Sequence, residues 1–328
     1  MSEPTKTVLV TGAAGYIGST LSRLLVERGY LVRGLDILTF GGGSLDTLQG
    51  HPAFSLVKGD IRNEADLEIA LEDCGAVVHL AAIVGDPACA KNPDLARETN
   101  WEASRRLFDL CLSKDHVKRF LFASTCSNYG KMEGEGFVHE DSPLRPVSLY
   151  AELKVKFEEY ILGAPARADF IPTSLRFATV YGLSHRMRFD LTVNEFVKDA
   201  FLNRELVIYG EQFWRPYCHV SDIARACLLV LVSDGEKVRR QVFGVGDTGE
   251  NYQKKMLADE ILKVLPDTAV KYVHKAEDPR DYRVDFSRIR DTLGFTITKT
   301  VPGGIMEVYE ALRDKRIQDP NDRRYYNS

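Results

Sequence analysis

Along the first half of the chain, short apolar runs and longer amphipathic stretches take turns, each closed by a polar or glycine-containing turn. Apolar runs of about four to eight residues have the length of buried strands, whereas apolar residues at every third or fourth position have the period of a helix with one buried face. On that pattern strands are expected over 6–11, 31–37, 54–58, 76–80, 119–123 and 172–177, and helices over 15–29, 64–71, 94–113 and 148–162. Strands alternating with helices predict an α/β fold: a Rossmann-type, doubly wound parallel sheet with helices on both faces and ligands at the carboxyl ends of the strands. Beyond Gly182 the rhythm breaks, and arginine-containing polar loops are interleaved with shorter elements such as the one over 221–231. The expected division is a dinucleotide-binding domain over 1–182 and a smaller α/β substrate-binding region over 183–328, with the chain free to cross back between them. No internal repeat is visible.

The first strand leads directly into Thr11-Gly12-Ala13-Ala14-Gly15-Tyr16-Ile17-Gly18. Glycines at this spacing serve a tight turn, a close approach of backbone amides to phosphates, and close helix–strand packing. The helix that follows adds free N–H groups and partial positive charge at its start. The second strand ends in Asp36, where a carboxylate accepts hydrogen bonds from the adenosine ribose hydroxyls and repels a 2'-phosphate. The cofactor expected is therefore NAD.

Composition narrows the picture. The chain has 328 residues, of which 44% are apolar, enough to fill two cores or one large one. Its formal charge of −4 and the lack of a basic block before the last few residues exclude nucleic acid and an anionic membrane as expected partners. Six cysteines occur without a C-x-x-C pair, the first six residues have no apolar signal core, and no apolar run is long enough to span a bilayer. A cytoplasmic enzyme with reduced thiols is expected. The polar tail over 313–328 reads as a loose or packing segment.

Tyr150 and Lys154 are four residues apart, on one face of a helix. Upstream, Ala123-Ser124-Thr125-Cys126-Ser127-Asn128-Tyr129-Gly130 delivers hydroxyls at the end of a strand. A tyrosine must lose roughly 3 pKa units, about 4 kcal/mol, to act as a base at neutral pH, and Lys154 with a positive nicotinamide would supply that. Thr125, or its neighbour Ser124, would hydrogen-bond the same substrate oxygen.

At this point the chain resembles the extended short-chain dehydrogenase/reductase family, in particular its nucleotide-sugar epimerases and dehydratases, over nearly its whole length. Further matching pieces are Gly59-Asp60-Ile61, His79-Leu80-Ala81-Ala82, Asn100, Leu175-Arg176-Phe177-Ala178-Thr179-Val180-Tyr181-Gly182 and Arg215-Pro216-Tyr217-Cys218-His219-Val220-Ser221-Asp222. The resemblance implies that Asp60 and Ile61 flank the adenine, that Leu80, Ala81, Ala82 and Asn100 belong to the cofactor cleft, and that Thr179 and Arg215 meet the sugar nucleotide. An arginine fork suits a diphosphate. Arg280 or Arg283 stands where the family places another phosphate-binding arginine. Relatives dimerise through the helix bearing Tyr150 and the one before it, so a homodimer is implied. Leu153, Phe157 and Ile161 recur at four-residue spacing on that helix, as an interface or a core would require.

The departures select among reactions. Sugar dehydratases of this kind carry Thr-Asp-Glu where this chain has Thr125-Cys126-Ser127, and decarboxylases keep a glutamate at the position of Ser127. Without those carboxylates both outcomes are disfavoured. Cys126 is either an acid, as a cysteine near this place is in the 3,5-epimerase/4-reductases, or a packed thiol. The segments Ile83-Val84-Gly85-Asp86-Pro87-Ala88-Cys89 and Ser184 to Asn194 have counterparts in bacterial nucleotide-sugar enzymes, including GDP-heptose 4-dehydrogenases. Val84, Gly85, Arg186, Arg188 and Asn194 are thereby expected over the hexose pocket, with Asn194 reaching the diphosphate. His185 and His219 have no metal-ligand spacing, and no metal is expected. The simplest cycle these residues serve is oxidation of the sugar at C4 and return of the hydrogen to the other face, a 4-epimerisation of a nucleotide-diphosphate sugar. A 4-dehydrogenase or reductase uses the same residues. A dinucleotide sensor would have no need of Tyr150 and Lys154, and an uncharged steroid or flavonoid substrate no need of Arg215.

Overall fold

The structure, a computed structural model, describes residues 7–275 and 280–327. The first position of the strand expected over 6–11 lies outside the described residues. The first six strands are β1 (Thr7–Thr11), β2 (Leu31–Asp36), β3 (Phe54–Lys58), β4 (Ala76–His79), β5 (Arg119–Thr125) and β6 (Ile171–Phe177). They are followed by β7 (Thr179–Tyr181), β8 (Glu205–Tyr209), β9 (Trp214–His219), β10 (Val242–Val245), β11 (Asn251–Gln253) and β12 (Ala269–Val273). The main sheet has seven strands in the order β10-β6-β5-β4-β1-β2-β3, with every pairing parallel. Its central strands are covered on both faces, so β4 is buried at every position and reads as one apolar run without alternation. The order turns back between β1 and β4, and that switch point opens a crevice at the strands' carboxyl ends.

Helices α1 (Tyr16–Glu27), α2 (Glu64–Leu71), α3 (Asp86–Lys91), α4 (Pro93–Arg97), α5 (Ser104–Ser113) and α6 (Leu149–Gly163) connect the first six strands. The helix expected over 94–113 is not continuous. A π-helical turn, Glu98–Ala103, separates α4 from α5, and the extra residue turns Asn100 inward, where it is 4% exposed. Such inserted turns recur beside functional sites.

The remaining helices are α7 (Thr192–Asn203), α8 (Val220–Val232), α9 (Gly235–Val238), α10 (Lys254–Val264), α11 (Ser287–Leu293) and α12 (Val301–Arg313). Small sheets β11-β9-β7 and β12-β8 share a second core with α7, α10 and α12, built around Phe189, Val197, Ile261 and Ile305. Helix α8 packs on α1, and β10 adds the seventh strand beside β6. Residues 220–245 thus complete the main sheet and its cover. Leu153, Phe157 and Ile161 are all buried within the single chain, which makes their spacing a core pattern. All six cysteines are free and buried.

Candidate active site

A cleft of about 650 Å³ runs along the carboxyl ends of the main sheet. At one end lies the glycine turn. Gly12 has φ +72°, and a Cβ there would stand 3.0 Å from the Ala81 amide; at Gly18 it would overlap the Gly12 carbonyl at 2.0 Å. Both are steric requirements of the strand–turn–helix junction. Gly15 caps α1 without a side-chain bond, and the first turn holds no acidic residue. Its unsatisfied N–H groups, at Tyr16, Ile17 and beyond, therefore stay available to phosphate oxygens.

Asp36 ends β2, and its two oxygens accept from Ala14 N–H (2.9 Å) and Leu38 N–H (2.7 Å). Burial raises its pKa, and those two bonds together with Arg186 oppose the rise. The carboxylate is thus fixed at the mouth of the crevice with lone pairs left for ribose hydroxyls. Asp60 and Ile61 form the facing wall. The bonds from Arg62 hold the Asp60 carboxyl below its ordinary range, so this wall presents an ion pair. On the floor, Thr11 Oγ1 accepts from the Leu80 and Ala81 amides at 3.2 Å each and is bonded to His79 Nδ1 at 2.8 Å. That fixes the run Leu80 to Ala82 along the cleft.

The middle of the cleft holds Ser124, Thr125, Tyr150 and Lys154. Ser148 caps α6 through its side chain, which sets the helix so that Tyr150 and Lys154 face the end of β5. Lys154 is 5% exposed and donates to the Ala123 carbonyl at 2.6 Å, with its Nζ 5.8 Å from the centre of the Tyr150 ring. Burial lowers its pKa to about 7. Burial likewise pushes the Tyr150 phenol up, so each group alone resists charge, and a phenolate–ammonium pair relieves both. Thr125 Oγ1 accepts from Ser127 N–H at 3.1 Å, leaving its own proton to donate. Ser124 accepts from the Asn128 amide at 3.1 Å.

Three expected contacts are corrected. Cys126 is 1% exposed, points away from the cleft and donates to the Arg176 carbonyl at 3.3 Å; burial raises its pKa strongly. It is a packed thiol. Asn100 bonds Ile83 at both N–H (2.8 Å) and C=O (2.9 Å), and so holds the chain after β4 without lining the cleft. Asn194 is 0% exposed. It accepts from Gly182 N–H at 2.9 Å and donates to the Arg188 carbonyl at 2.9 Å and the Tyr16 hydroxyl at 3.2 Å. Its amide is spent on pinning the loop after β7, with nothing left for a diphosphate.

Among the other expected substrate contacts, Val84, Thr179, Arg188, Arg215 and Arg280 line the cleft. Gly85, with φ +96°, caps α3 just behind Val84. Arg188 forks onto Asp190 at 2.9 and 2.7 Å. Arg280 pairs with Asp86 at 3.0 Å, and Arg215 lies over the Tyr282 ring. Of the two alternatives, Arg280 reaches the cleft, while Arg283 packs between Phe137 and Trp214. Arg186 lines the cleft as well, with its guanidinium over the Phe40 ring and close enough to Asp36 to act on its charge. Phe40, Lys254, Tyr282 and Asn327 also line the cleft. Tyr282 lies inside the Arg280–Arg283 segment, which was its only signal, and Asn327 sits in the tail read as a loose or packing segment rather than as part of a site. The tail is docked, with Phe189 N–H donating to the Tyr325 carbonyl at 3.0 Å.

Among the described lining residues, seven are Lys or Arg and two, Asp36 and Asp60, are carboxylates. A cleft so charged is built for a polyanion. No group of three or more His, Cys, Asp or Glu placed to hold a metal occurs among the described residues, and no described helix is long and apolar enough to cross a membrane.

Comparison with known proteins agrees with this geometry. An uncharacterized UDP-glucose epimerase, YtcB, of Bacillus subtilis (strain 168) is 34% identical over 239 residues, 68% of this chain and 72% of that one. The UDP-glucuronic acid 4-epimerase of Bacillus cereus, solved with UDP-glucuronic acid and NAD, superposes with a TM-score of 0.83 at 26% identity, covering 94% of this chain and 99% of its own. MoeE5, solved with the same two ligands, gives 0.80 at 28% identity and the same coverage. The family model described as the NAD dependent epimerase/dehydratase family matches residues 8–246. The strand–glycine–helix turn, the Tyr150/Lys154 pair and these relatives lead to one conclusion: the chain belongs to the NAD-dependent epimerase/dehydratase family, within the extended short-chain dehydrogenases/reductases.

Proposed function

We propose that this chain is an NAD-dependent 4-epimerase of nucleotide-diphosphate sugars, with a UDP-hexose or UDP-hexuronate as substrate. One observation carries the reading. Beside Tyr150 and Lys154 the described cleft lining offers the hydroxyls of Ser124, Thr125 and Ser127, its two carboxylates, Asp36 and Asp60, lie at the adenosine end, and Asp86, near enough to act on Tyr150, is held by Ser148 and Arg280. Elimination of water needs an acid and a second base at the sugar, whereas epimerisation at C4 needs one proton shuttle.

The glycine turn, Asp36, Leu80 and Ala81 would hold NAD, which when bound supplies a reversible acceptor for the C4 hydrogen. Thr125 donates to the C4 oxygen and orients it. Tyr150, as phenolate, takes the hydroxyl proton while the carbon is oxidised. Lys154, as ammonium, lowers the cost of that phenolate. When the hydrogen returns to the opposite face of the 4-keto sugar, Tyr150 gives the proton back, and atoms and charge balance. Arg215, Arg188 and Arg280 suit the substrate's diphosphate.

The test is incubation with UDP-, GDP-, CDP- and dTDP-sugars and NAD, read by chromatography and mass spectrometry. A product of unchanged mass and new retention is expected. Loss of two hydrogens would replace epimerisation with net oxidation, and loss of water would overturn the argument from the missing carboxylates. Tyr150→Phe should keep NAD binding and lose turnover by about a hundredfold or more. We further propose a cytoplasmic homodimer; sedimentation should give one species near twice 36.9 kDa, and a monomer refutes it.

A further inference from the structure

Arg186 is 6% exposed and makes no hydrogen bond or ion pair among the described residues; its Nε and Nη2 are buried without partners. Buried guanidinium groups left in this state are rare and costly. Its neighbour Arg188 has Asp190, so the loop after β7 places two arginines on the cleft and pairs one of them. The guanidinium carbon of Arg186 lies over the Phe40 ring, 4.0 Å from its centre. Phe40 follows β2 by a few residues, and Asp36 is close enough for Arg186 to act on its charge. Burial and Arg188 bring the Arg186 guanidinium down to about 10, against the opposing pull of Asp190 and Asp36, neither of which bonds it. The missing charge therefore belongs to a ligand, at the end of the cleft where α1 opens its uncapped amides and Asp36 waits for a ribose.

We propose that Arg186 completes the cofactor site, pairing with the diphosphate of the bound dinucleotide, and is not a sugar-nucleotide contact. This rests on the dinucleotide reading of the cleft. It has a consequence for order of binding. Arg186 sits on the loop that Asn194 pins and that presents Arg188 to the substrate, so the cofactor neutralises and settles this loop before the sugar nucleotide meets it.

Calorimetric titration of the full chain with NAD, ADP, adenosine and UDP separates the cases. Arg186→Met should weaken NAD and ADP by tenfold or more, while adenosine and UDP change by less than about twofold. Arg186→Lys should recover part of the loss. A drop for UDP with ADP unchanged would make Arg186 a substrate residue, and unchanged affinity for all four would make it structural; either overturns the proposal. Should wild type bind UDP and neither NAD nor ADP, the dinucleotide reading itself falls. If Arg186→Met does not fold, Phe40→Ala removes the platform from the exposed side, and the same selective loss for ADP is required.

Discussion

The Cys126 sulfur has no path to a bound sugar, because the Arg176 carbonyl takes its proton and the surrounding core excludes water. Cys126→Ala should therefore leave kcat/KM within about threefold and cost about 1 kcal/mol of stability for the lost bond and small cavity, read by steady-state kinetics and urea unfolding. A hundredfold kinetic loss would restore it as an acid. Asp36 makes the complementary case, since its charge is what excludes a 2'-phosphate while Arg186 stands beside it. Asp36→Ser removes the repulsion and keeps the cation. Its affinity for NADP should rise by tenfold or more and its affinity for NAD should fall, in the same titration. A variant that loses both equally would mean that the carboxylate only fixes the turn through Ala14 and Leu38.

At the scale of elements, the strands of the main sheet were legible because doubly covered parallel strands are simply apolar, and β1 to β6 fall within two residues of their expected ends. Strand β10 was not, since Val-Phe-Gly-Val is too short to carry a pattern and its partner lies far away in sequence. Nor was the π-helical turn, which preserves apolar spacing on both sides while shifting the face between them. Loop destinations were the largest loss: the loop that carries Arg186 is tied down by Asn194, whose four bonds to Gly182, Arg188 and Tyr16 no local pattern announces. Helix α6 shows what a local pattern does carry. Tyr150, Lys154 and Glu158 form one stripe, chemical at the top and structural below. Glu158 takes Arg176 Nη2 at 2.6 Å and Ser174 Oγ at 2.6 Å, both buried on β6, while Arg176 also reaches the Tyr129 hydroxyl at 3.1 Å. Glu158→Gln leaves a buried guanidinium half-paired and should cost about 3–5 kcal/mol in urea unfolding. A loss under 1 kcal/mol would show that the helix is held by packing alone.

For the molecule as a whole, the question is what keeps the two cores in one arrangement around the cleft. Glu307 on α12 is a joint between them. It accepts from Leu183 N–H at 3.2 Å, where the loop bearing Arg186 and Arg188 begins. It meets His219 Nε2 at 2.7 Å, at the end of the strand carrying Arg215, and it pairs with Lys299. Burial alone would raise its pKa, but the His219 and Lys299 bonds outweigh that and bring it to about 2. The unfolded chain, with an ordinary glutamate, takes up this proton first as pH falls, so the joint's contribution is complete above about pH 4.5 and is lost toward pH 2. That loss is worth about 3 kcal/mol. Comparing wild type with Glu307→Gln isolates it from the other carboxylates, which titrate in both. The gap between their unfolding free energies should narrow by about that amount between pH 5 and pH 2. A gap that does not change with pH would place the stability of this joint in its packing and leave the ionised carboxylate without a part in holding the cleft together.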